Sequence, residues 1–414
     1  MRHASGAGIA VLALVFAACA TERAEGPVAP EGPLTSLPRD LSQDEQRIVR
    51  AANDFAFALL AEAASDPTGD ANVVLSPLSA SFALGMLLNG ATGETRAQME
   101  SALRLHGLDA HAINQGYADL VGLITGLDDD VALDVANGIW ARDGIAFEQT
   151  FLDTAVAYFD AAVRALDFDD PASVDVINGW VREQTNDRID EMVEQIDPAA
   201  IMYLMNAIYF KGDWTRPFDR ERTRSAPFTR ADGSTVDVPM MDMDEAPHLF
   251  AQTDDGTTLV DLSYSRGAYS MTLVLPPEGT DAMTFAASLD RAHWDGLIAQ
   301  LDSVQRVMVR LPRFTLEYDR VLNDDLRALG MQRVFSDAAE LDRLTPEPAY
   351  VHQVRQKSFI AVDEEGTEAA AVTSVEVRVV SMPPHIFLDR PFVFAIRERL
   401  SGVILFLGVV GNPA

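Results

Sequence analysis

The side chains that most often carry out chemistry are few and scattered in this chain. Its 414 residues include a single cysteine, Cys19, and seven histidines. His106 and His111 are five positions apart, an awkward spacing for one face of a helix. Residues 128–130 are three consecutive aspartates that could attract a cation, but a run of acids in a loop is usually only solvated. We therefore expect no metal site.

The sequence motifs of common enzyme active sites are also missing. The chain contains no Gly-x-Ser-x-Gly nucleophile turn, no His-Glu-x-x-His helix and no glycine-rich phosphate loop. The one cysteine lies in the segment that we assign to export, so no cysteine nucleophile remains. We predict that the protein is not an enzyme and uses no cofactor.

The most informative stretch, residues 364–381, has the pattern of a β-strand rather than a set of reactive side chains. After Gly366 come small residues and then strict alternation. In an extended chain, one face would consist of Thr367, Ala369, Ala371, Thr373, Val375, Val377 and Val379, and the other of Glu368, Ala370, Val372, Ser374, Glu376 and Arg378. The first face can be buried, whereas the second is mostly polar. The stretch lies between a predicted strand that ends near Val362 and the Pro383-Pro384 pair, which stops strand pairing. This pattern predicts a loop that inserts into a sheet on demand.

Five segments resemble those of one known family, the serpins, which trap serine proteases. Residues 364–381 resemble the hinge and reactive loop of that family, and residues 72–79 resemble the entry to its second helix. Residues 206–214 resemble its central-sheet strand and the following turn. Its C-terminal signature and last buried strand are similar to residues 388–394, and to residues 405–408 with 412–413. The five segments stand in the family's order.

The resemblance implies the α+β class and the serpin fold. We expect one domain over residues 46–414, because no Pro/Gly/Ser-rich linker follows residue 45, although the length alone would suggest two or three domains. This domain would hold a large central mixed β-sheet, further sheets, about eight or nine helices and an exposed reactive loop at about 364–384.

Local patterns agree with that class. A capping box at residues 42–45 predicts the start of a helix, and Ser76-Pro77 predicts the start of another, which would stop at Asn89-Gly90. The apolar run 202–210 predicts a strand buried on both faces. Residues 307–318 alternate around Pro312, which predicts an edge or a bulge there.

The family's mechanism, if it applies, is that of a suicide substrate. A protease would attack one bond of the loop through its own serine, and the cut loop would enter the central sheet before the acyl-enzyme is hydrolysed. The hinge would consist of Glu364, Gly366, Thr367, Ala369, Ala370 and Ala371. We expect Gly366 to permit the backbone bend and Thr367 to be the first side chain buried.

The resemblance also places the bond that the protease attacks. In the family this bond usually follows the residue sixteen positions after the hinge Glu, which gives Val380–Ser381. Valine suits the small apolar pocket of an elastase-like or subtilisin-like protease. The alternative is a trypsin-like protease that cuts after Arg378, which would shorten the inserted strand and favour simple cleavage over trapping. A second alternative is a non-inhibitory binding protein with the serpin fold.

A polar cluster that controls opening of the sheet is also implied. Ser76, Ser79, Asn206, Gln356 and Trp214 match positions of this kind in the family. Gln356 stands where the family often has His, and it can still donate and accept a hydrogen bond. Ser76 could equally serve as a helix cap, and Trp214 could equally be a core residue.

The N-terminus reads as an export signal. Residues 9–18 form a short apolar run, which ends in small residues before Cys19. This arrangement resembles a bacterial lipoprotein signal, with residues 1–18 removed, Cys19 lipidated and residues 19–45 forming a disordered tether at a membrane. The alternative is an ordinary secretory signal cut after Ala18 or Ala20. In both cases the protein is exported, to the periplasm or the extracellular space.

The net charge of −31 argues against binding nucleic acid or another polyanion. Activation by a heparin-like cofactor is not expected either, since Arg104 is the only basic residue between positions 101 and 126. The partners that we predict are a target serine protease and, through Cys19, a membrane. We expect a monomer.

Overall fold

The computed structural model describes residues 32–66, 71–301, 303–367 and 384–414. Residues 33–414 form one compact unit. Several predicted features lie outside the described residues: the signal segment with Cys19, the hinge alanines Ala369, Ala370 and Ala371, the alternative cleavage site Arg378, and the reactive bond Val380–Ser381.

The described residues contain nine α-helices, six of which precede the second half of the chain. They are α1 (Gln43–Ser65), α2 (Pro77–Leu88), α3 (Gly93–Ala102), α4 (Ala110–Thr125), α5 (Gln149–Phe159), α6 (Ala172–Gln184), α7 (Ala282–Ser288), α8 (Arg291–Ile298) and α9 (Asn323–Ala328). No helix in the described part of the chain is both long enough and apolar enough to cross a bilayer.

The capping box predicted at the first helix is confirmed. The Ser42 hydroxyl accepts from the Glu45 amide, and the Glu45 carboxylate accepts from the Ser42 amide. The folded unit nevertheless begins earlier than residue 46. Leu34 and Leu37 pack against the core, and the Leu34 amide donates to the Arg266 carbonyl, so the last part of the predicted tether belongs to the fold.

Fifteen strands occur in the described residues. They are β1 (Val73–Leu75), β2 (Val131–Arg142), β3 (Ala161–Leu166), β4 (Met202–Asp213), β5 (Arg224–Thr229), β6 (Thr235–Gln252), β7 (Thr258–Ser263), β8 (Tyr269–Leu275), β9 (Val304–Pro312), β10 (Phe314–Val321), β11 (Arg355–Val362), β12 (Gly366–Thr367), β13 (His385–Phe387), β14 (Phe392–Glu398) and β15 (Ile404–Val410). A nine-stranded sheet has the order β1-β15-β14-β8-β7-β6-β9-β13, with β5 beside β6.

The central sheet is formed in two sections. One has the order β12-β4-β2-β3, in which β2 and β3 are parallel and the other pairs antiparallel. The other section is the antiparallel pair β10-β11. Helix α6 covers β2 and β4 on the face away from the main core, where Trp140 and Trp180 meet edge to face.

Two strand predictions need correction. The run 202–210 is a strand, but most of its side chains are only half-buried, because β4 has no partner along most of one edge. Pro312 marks neither an edge nor a bulge within one strand. Instead the chain leaves the nine-stranded sheet at Pro312 and enters the central sheet at Phe314, so one pattern covers two strands.

Candidate functional site

The predicted hinge lies at one end of the gap between the two sections of the central sheet. Gly366 pairs with Asp213 and Thr367 pairs with Gly212, which makes β12 a short antiparallel partner of β4. Glu364, Gly366 and Thr367 are all buried. The loop predicted to be exposed from residue 364 is therefore already inside the protein as far as Thr367, because its backbone has found ladder partners there.

Thr367 contacts one member of a buried aromatic pair. Its hydroxyl lies 2.8 Å from the Tyr264 hydroxyl, and both side chains are buried. Tyr264 stacks on Trp214 with ring centroids 4.4 Å apart and an interplanar angle of 14°. Burial raises the pKa of Tyr264, so its hydroxyl stays protonated and can donate to Thr367. Sequence reasoning missed Tyr264, which carries no motif and approaches the hinge only through the fold.

Backbone bonds fix the segment just before β12. The Glu365 carbonyl accepts from the Trp214 amide and the Glu364 carbonyl accepts from the Phe218 amide, each at 2.7 Å. The Trp214 indole donates to the Asp363 carbonyl at 3.0 Å. Trp214 therefore anchors the hinge as well as packing in the core.

The two hinge glutamates are buried with unequal numbers of partners. Glu364 accepts from the Thr223 hydroxyl at 2.7 Å and lies 3.6 Å from the Arg313 guanidinium. Glu365 pairs with Arg220 at 2.6 Å through one oxygen, while its Oε2 is buried without a hydrogen-bond partner. An unsatisfied buried oxygen of this kind lowers the stability of the folded state. Glu365 therefore stabilises the hinge less than a glutamate with both oxygens paired would.

Gly366 is required for a reason that differs from the predicted bend. A Cβ at this position would lie 2.2 Å from the Gly212 carbonyl oxygen and 2.7 Å from the Asp213 Cα. Any side chain would therefore force β12 away from β4. The glycine allows two backbones to come close together.

Asp213, the ladder partner of Gly366, lies in a local excess of negative charge. Burial raises the pKa of its carboxyl; nearby Lys211 opposes this rise, whereas Glu365, Asp363 and Asp130 add to it. The Asp363 carboxylate is itself used locally, since it accepts from the amides of Glu365 and Gly366. Partial burial, with a smaller contribution from these acidic neighbours, therefore makes ionisation of Asp213 less favourable than in an isolated carboxyl.

Beyond Thr367 the edges of β4 and β11 form an open slot. Among the described residues no backbone ladder joins these two strands, although they line one cavity together. Residues 208–210 of β4 and 359–361 of β11 form its walls, with Thr367 at one end and Ile189 over the outer face. The buried Ser358 hydroxyl on β11 has no partner. Each wall of the slot is a strand edge whose backbone groups could pair with a further strand.

Four of the five residues predicted to control sheet opening lie close to the slot. Gln356 on β11 donates to the Ser76 carbonyl at 2.8 Å and accepts from the Ser76 amide at 3.1 Å. On β4, Asn206 accepts from the Ser79 hydroxyl. The start of α2 therefore contacts both walls of the slot through separate hydrogen bonds.

The cluster has one member that the sequence did not reveal. Asn206 donates to Asn137 on β2 at 2.8 Å, and Asn137 donates to the Phe159 carbonyl at 2.7 Å. Ser76 does not cap α2 with its side chain, which instead donates to the Leu405 carbonyl at 3.0 Å. Trp214 lies apart from these residues, with the hinge.

In the described part of the chain, no three His, Cys, Asp or Glu side chains are arranged to hold a metal ion. What this site offers is an acceptor for a strand: unpaired strand edges, half-buried apolar side chains and a hinge that has begun to pair.

The chain is similar to known proteins in sequence and in fold. The family profile Serpin (serine protease inhibitor) matches residues 50–413. Human neuroserpin is 32% identical over 357 residues, which are 83% of this chain and 87% of neuroserpin. The native structure of the thermophilic serpin tengpin has a TM-score of 0.80 and 29% identity, with 93% of this chain and 97% of that chain covered. Human thyroxine-binding globulin has a TM-score of 0.81 and 27% identity, with 90% and 100% covered.

Proposed function

The chain belongs to the serpin family of serine protease inhibitors, and we propose that it is an inhibitory member that acts as a suicide substrate. The observation that carries the proposal is the register of β12 beside an open slot. The protein would provide no catalytic group. It would provide a peptide bond for the protease to attack and a place in its own sheet for the cut loop.

The register predicts which loop residues would meet which residues of β4. Because Thr367 pairs with Gly212 in an antiparallel ladder, Ala369 would reach Phe210 and Ala371 would reach Ile208. The first residue of β4, Met202, would be reached by Val377. The described start of the ladder therefore provides partners for residues 366–377.

In the same register the apolar face of the loop would lie on the side of the main core. Met202, Leu204, Ile208 and Phe210 of β4 face the main core, whereas Tyr203 and Met205 face α6. Side chains of paired residues lie on the same side of a sheet. Thr367, Ala369, Ala371, Val375 and Val377 would therefore cover the half-buried side chains of β4. This burial, with the new ladder bonds, would drive insertion before the acyl-enzyme hydrolyses.

We propose Val380–Ser381 as the reactive bond, with an elastase-like or subtilisin-like protease as the target. Valine fits a small apolar pocket, and the family's loop length supports this position. The register removes one argument against Arg378, because a cut there would still leave residues 366–377 for β4. Cleavage after Arg378 and cleavage after Val380 would differ instead in the number of loop residues between Val377, the partner of Met202, and the attached protease.

The experiment is to mix the folded unit, residues 33–414, with elastase and follow the reaction by SDS gels and intact mass. A covalent adduct with a released peptide that begins at Ser381 would support both trapping and the bond. A peptide that begins at Val379 would place the cut after Arg378. The variant Val380→Arg serves as a matched control, because it should lose the elastase adduct and gain one with trypsin.

A non-inhibitory binding role is the second candidate, and the similarity to thyroxine-binding globulin favours it. The small residues at 369–371 speak against it, since they offer little resistance to insertion. Clean cleavage without an adduct, by elastase, subtilisin and trypsin alike, would favour this second role.

We further propose that Cys19 is lipidated and holds the exported protein at a membrane. The support is the sequence arrangement of residues 9–19 alone. Labelling of cells with a radioactive fatty acid should mark the full chain and not the Cys19→Ala variant. Equal partition of both proteins into the soluble fraction would instead support an ordinary secretory signal.

A further inference from the structure

A second cavity lies at the surface, beside one end of the nine-stranded sheet. Its described walls come mainly from the end of α1, the turn between β5 and β6, the start of α7 and the end of β15. The volume is about 340 Å³, which is within the range of sites that bind small molecules. None of the described residues that line it also lines the slot.

The floor of this cavity is apolar and is built from small residues. Ala63, Ala282, Val409 and Gly411 line it and are buried. A Cβ at Gly411 would collide with the Ala71 carbonyl oxygen, so the end of β15 lies directly against the backbone that precedes β1. Because small side chains line the floor, they leave apolar surface that a ligand could cover.

The end of α1 gives one side of the cavity a negative potential. Asp66 is the C-cap of this 23-residue helix, and the last turn contains no basic residue. The helix dipole also leaves partial negative charge at this end, where a cation is stabilising. Asp66 pairs with Arg320 at 3.2 Å, but the same guanidinium binds Asp325 at 2.7 Å, so its positive charge is shared.

Two further carboxylates stand at the exposed rim of the cavity. Asp232, in the turn between β5 and β6, accepts from the Ser234 amide, and Asp281, the N-cap of α7, accepts from the Thr284 amide, each at 2.8 Å. These hydrogen bonds orient the carboxylates without neutralising their charge. Arg230 is the one cation among the described lining residues. The described lining therefore carries three carboxylates and a single guanidinium.

We propose that this cavity binds a small molecule with an apolar body and one primary amine. The apolar body would cover the floor, and the ammonium group would lie among Asp66, Asp232 and Asp281. The same charges would repel a ligand with a carboxylate, and they would add nothing to the affinity of a neutral one. The inference goes beyond the proposed inhibition, because binding here needs neither the reactive loop nor the slot.

The test uses phenethylamine as the probe, with phenethyl alcohol as its neutral analogue and hydrocinnamate as its anionic one. Each is titrated by calorimetry into the folded unit, residues 33–414. We expect the amine to bind most tightly, the alcohol less tightly and the carboxylate least. Raising the salt concentration should weaken binding of the amine more than binding of the alcohol. Because a ligand of the folded state alone stabilises it, the amine should also raise the melting temperature.

A pair of charge variants tests the role of the rim. Asp232→Asn/Asp281→Asn removes two charges, but the amide oxygens can still accept the same hydrogen bonds. Asp255→Asn/Asp290→Asn is the matched control, because these aspartates also accept from backbone amides, in a turn and at the N-cap of α8. Neither control position is among the described residues that line the cavity. The rim variant should bind phenethylamine about three- to tenfold more weakly than the control, whereas both should bind phenethyl alcohol equally.

A further variant tests the apolar part of the site. Ala64→Leu would place a larger side chain in the wall of the cavity and should weaken binding of both phenethylamine and phenethyl alcohol. Its melting temperature without ligand checks that it is folded, and the exposed charge variants do not depend on this result. Equal affinity of the rim and control variants for phenethylamine, equal affinity of the wild-type protein for the amine and the carboxylate, or no saturable binding of the amine would each overturn the inference.

Discussion

Two sheets of this molecule differ in the burial of their side chains and in the pairing of their strands. In the nine-stranded sheet every residue of β8, β14 and β15 is buried, and each of these strands has partners on both edges. In the central sheet β4 is mostly half-buried and shares no ladder with β11. These strands of the nine-stranded sheet are paired and buried throughout, whereas in the central sheet the edges of β4 and β11 that face each other are unpaired.

Buried polar groups occur in both sheets. Asp261 in the nine-stranded sheet is fully buried, and it accepts from Ser270 and Thr272 and pairs with Arg397 and Arg399. Burial alone would raise the pKa of Asp261, but these partners hold it below its ordinary value. Around the slot, the Ser358 hydroxyl and the Glu365 Oε2 have no partner. Unpartnered buried oxygens also occur in the nine-stranded sheet, at Asp242 and Glu245 on β6, so such atoms are not confined to the slot.

The largest effect is expected for a charge placed in the central sheet. Thr367→Arg would bury a cation without a partner beside Tyr264, at a cost of several kcal/mol. We expect β12 to leave the sheet, the Trp214 fluorescence to change and protease adducts to give way to simple cleavage. Glu368→Arg, on the opposite face of the proposed strand, is the matched control and should still form adducts on SDS gels.

A second pair of variants compares the two sheets directly. Leu407→Ala in β15 should lower the free energy of unfolding by about 2–5 kcal/mol, because it leaves a cavity at a fully buried site. Leu204→Ala in β4 removes the same atoms from a half-buried site and should cost less than half as much. Urea unfolding of both variants measures the difference, and equal losses would mean that the central sheet is as complete as the other.

A third variant concerns the polar cluster at the slot. Asn206→Ala would remove the partner of both Ser79 and Asn137 and leave buried polar groups unpaired, at a cost of about 1–3 kcal/mol. Urea denaturation would measure this loss. Gln356→His can still donate and accept, so it should lose less stability than Asn206→Ala; a greater loss would contradict the hydrogen-bond assignment.

The smallest effect should come from pH at the hinge. The raised pKa of Asp213 means that the folded state binds a proton more readily than the unfolded chain, so the ionised carboxylate destabilises the fold at neutral pH. At pH 7, Asp213→Asn should raise the free energy of unfolding by roughly a few tenths of a kcal/mol. The melting temperature should rise with it. The gain should shrink as the pH falls through the raised pKa of Asp213, where the wild-type carboxyl also becomes neutral. A gain that grows toward acid pH would mean that the pKa of Asp213 is lowered.

Some of the helices and strands and much of the polar cluster could be predicted from the sequence. The capping box, the strand at residues 202–210 and the contacts among Ser76, Ser79, Asn206 and Gln356 follow from local patterns and from the resemblance. It could not reveal that Thr367 is already buried, because that depends on free energies of pairing with β4. Nor could it reveal Tyr264 or Asn137, which approach the site only through strands distant in the chain.

The most direct test of the central claim is a crystal structure of the protein after its loop has been cut. We expect residues 366–377 to form a strand between β4 and β11, with Ala369 opposite Phe210 and Ala371 opposite Ile208. The half-buried side chains of β4 should then be fully covered, and the two sections of the central sheet should be joined. A cut protein in which the slot remains empty beyond Thr367, or in which the strand enters one residue out of register, would contradict the proposed mechanism.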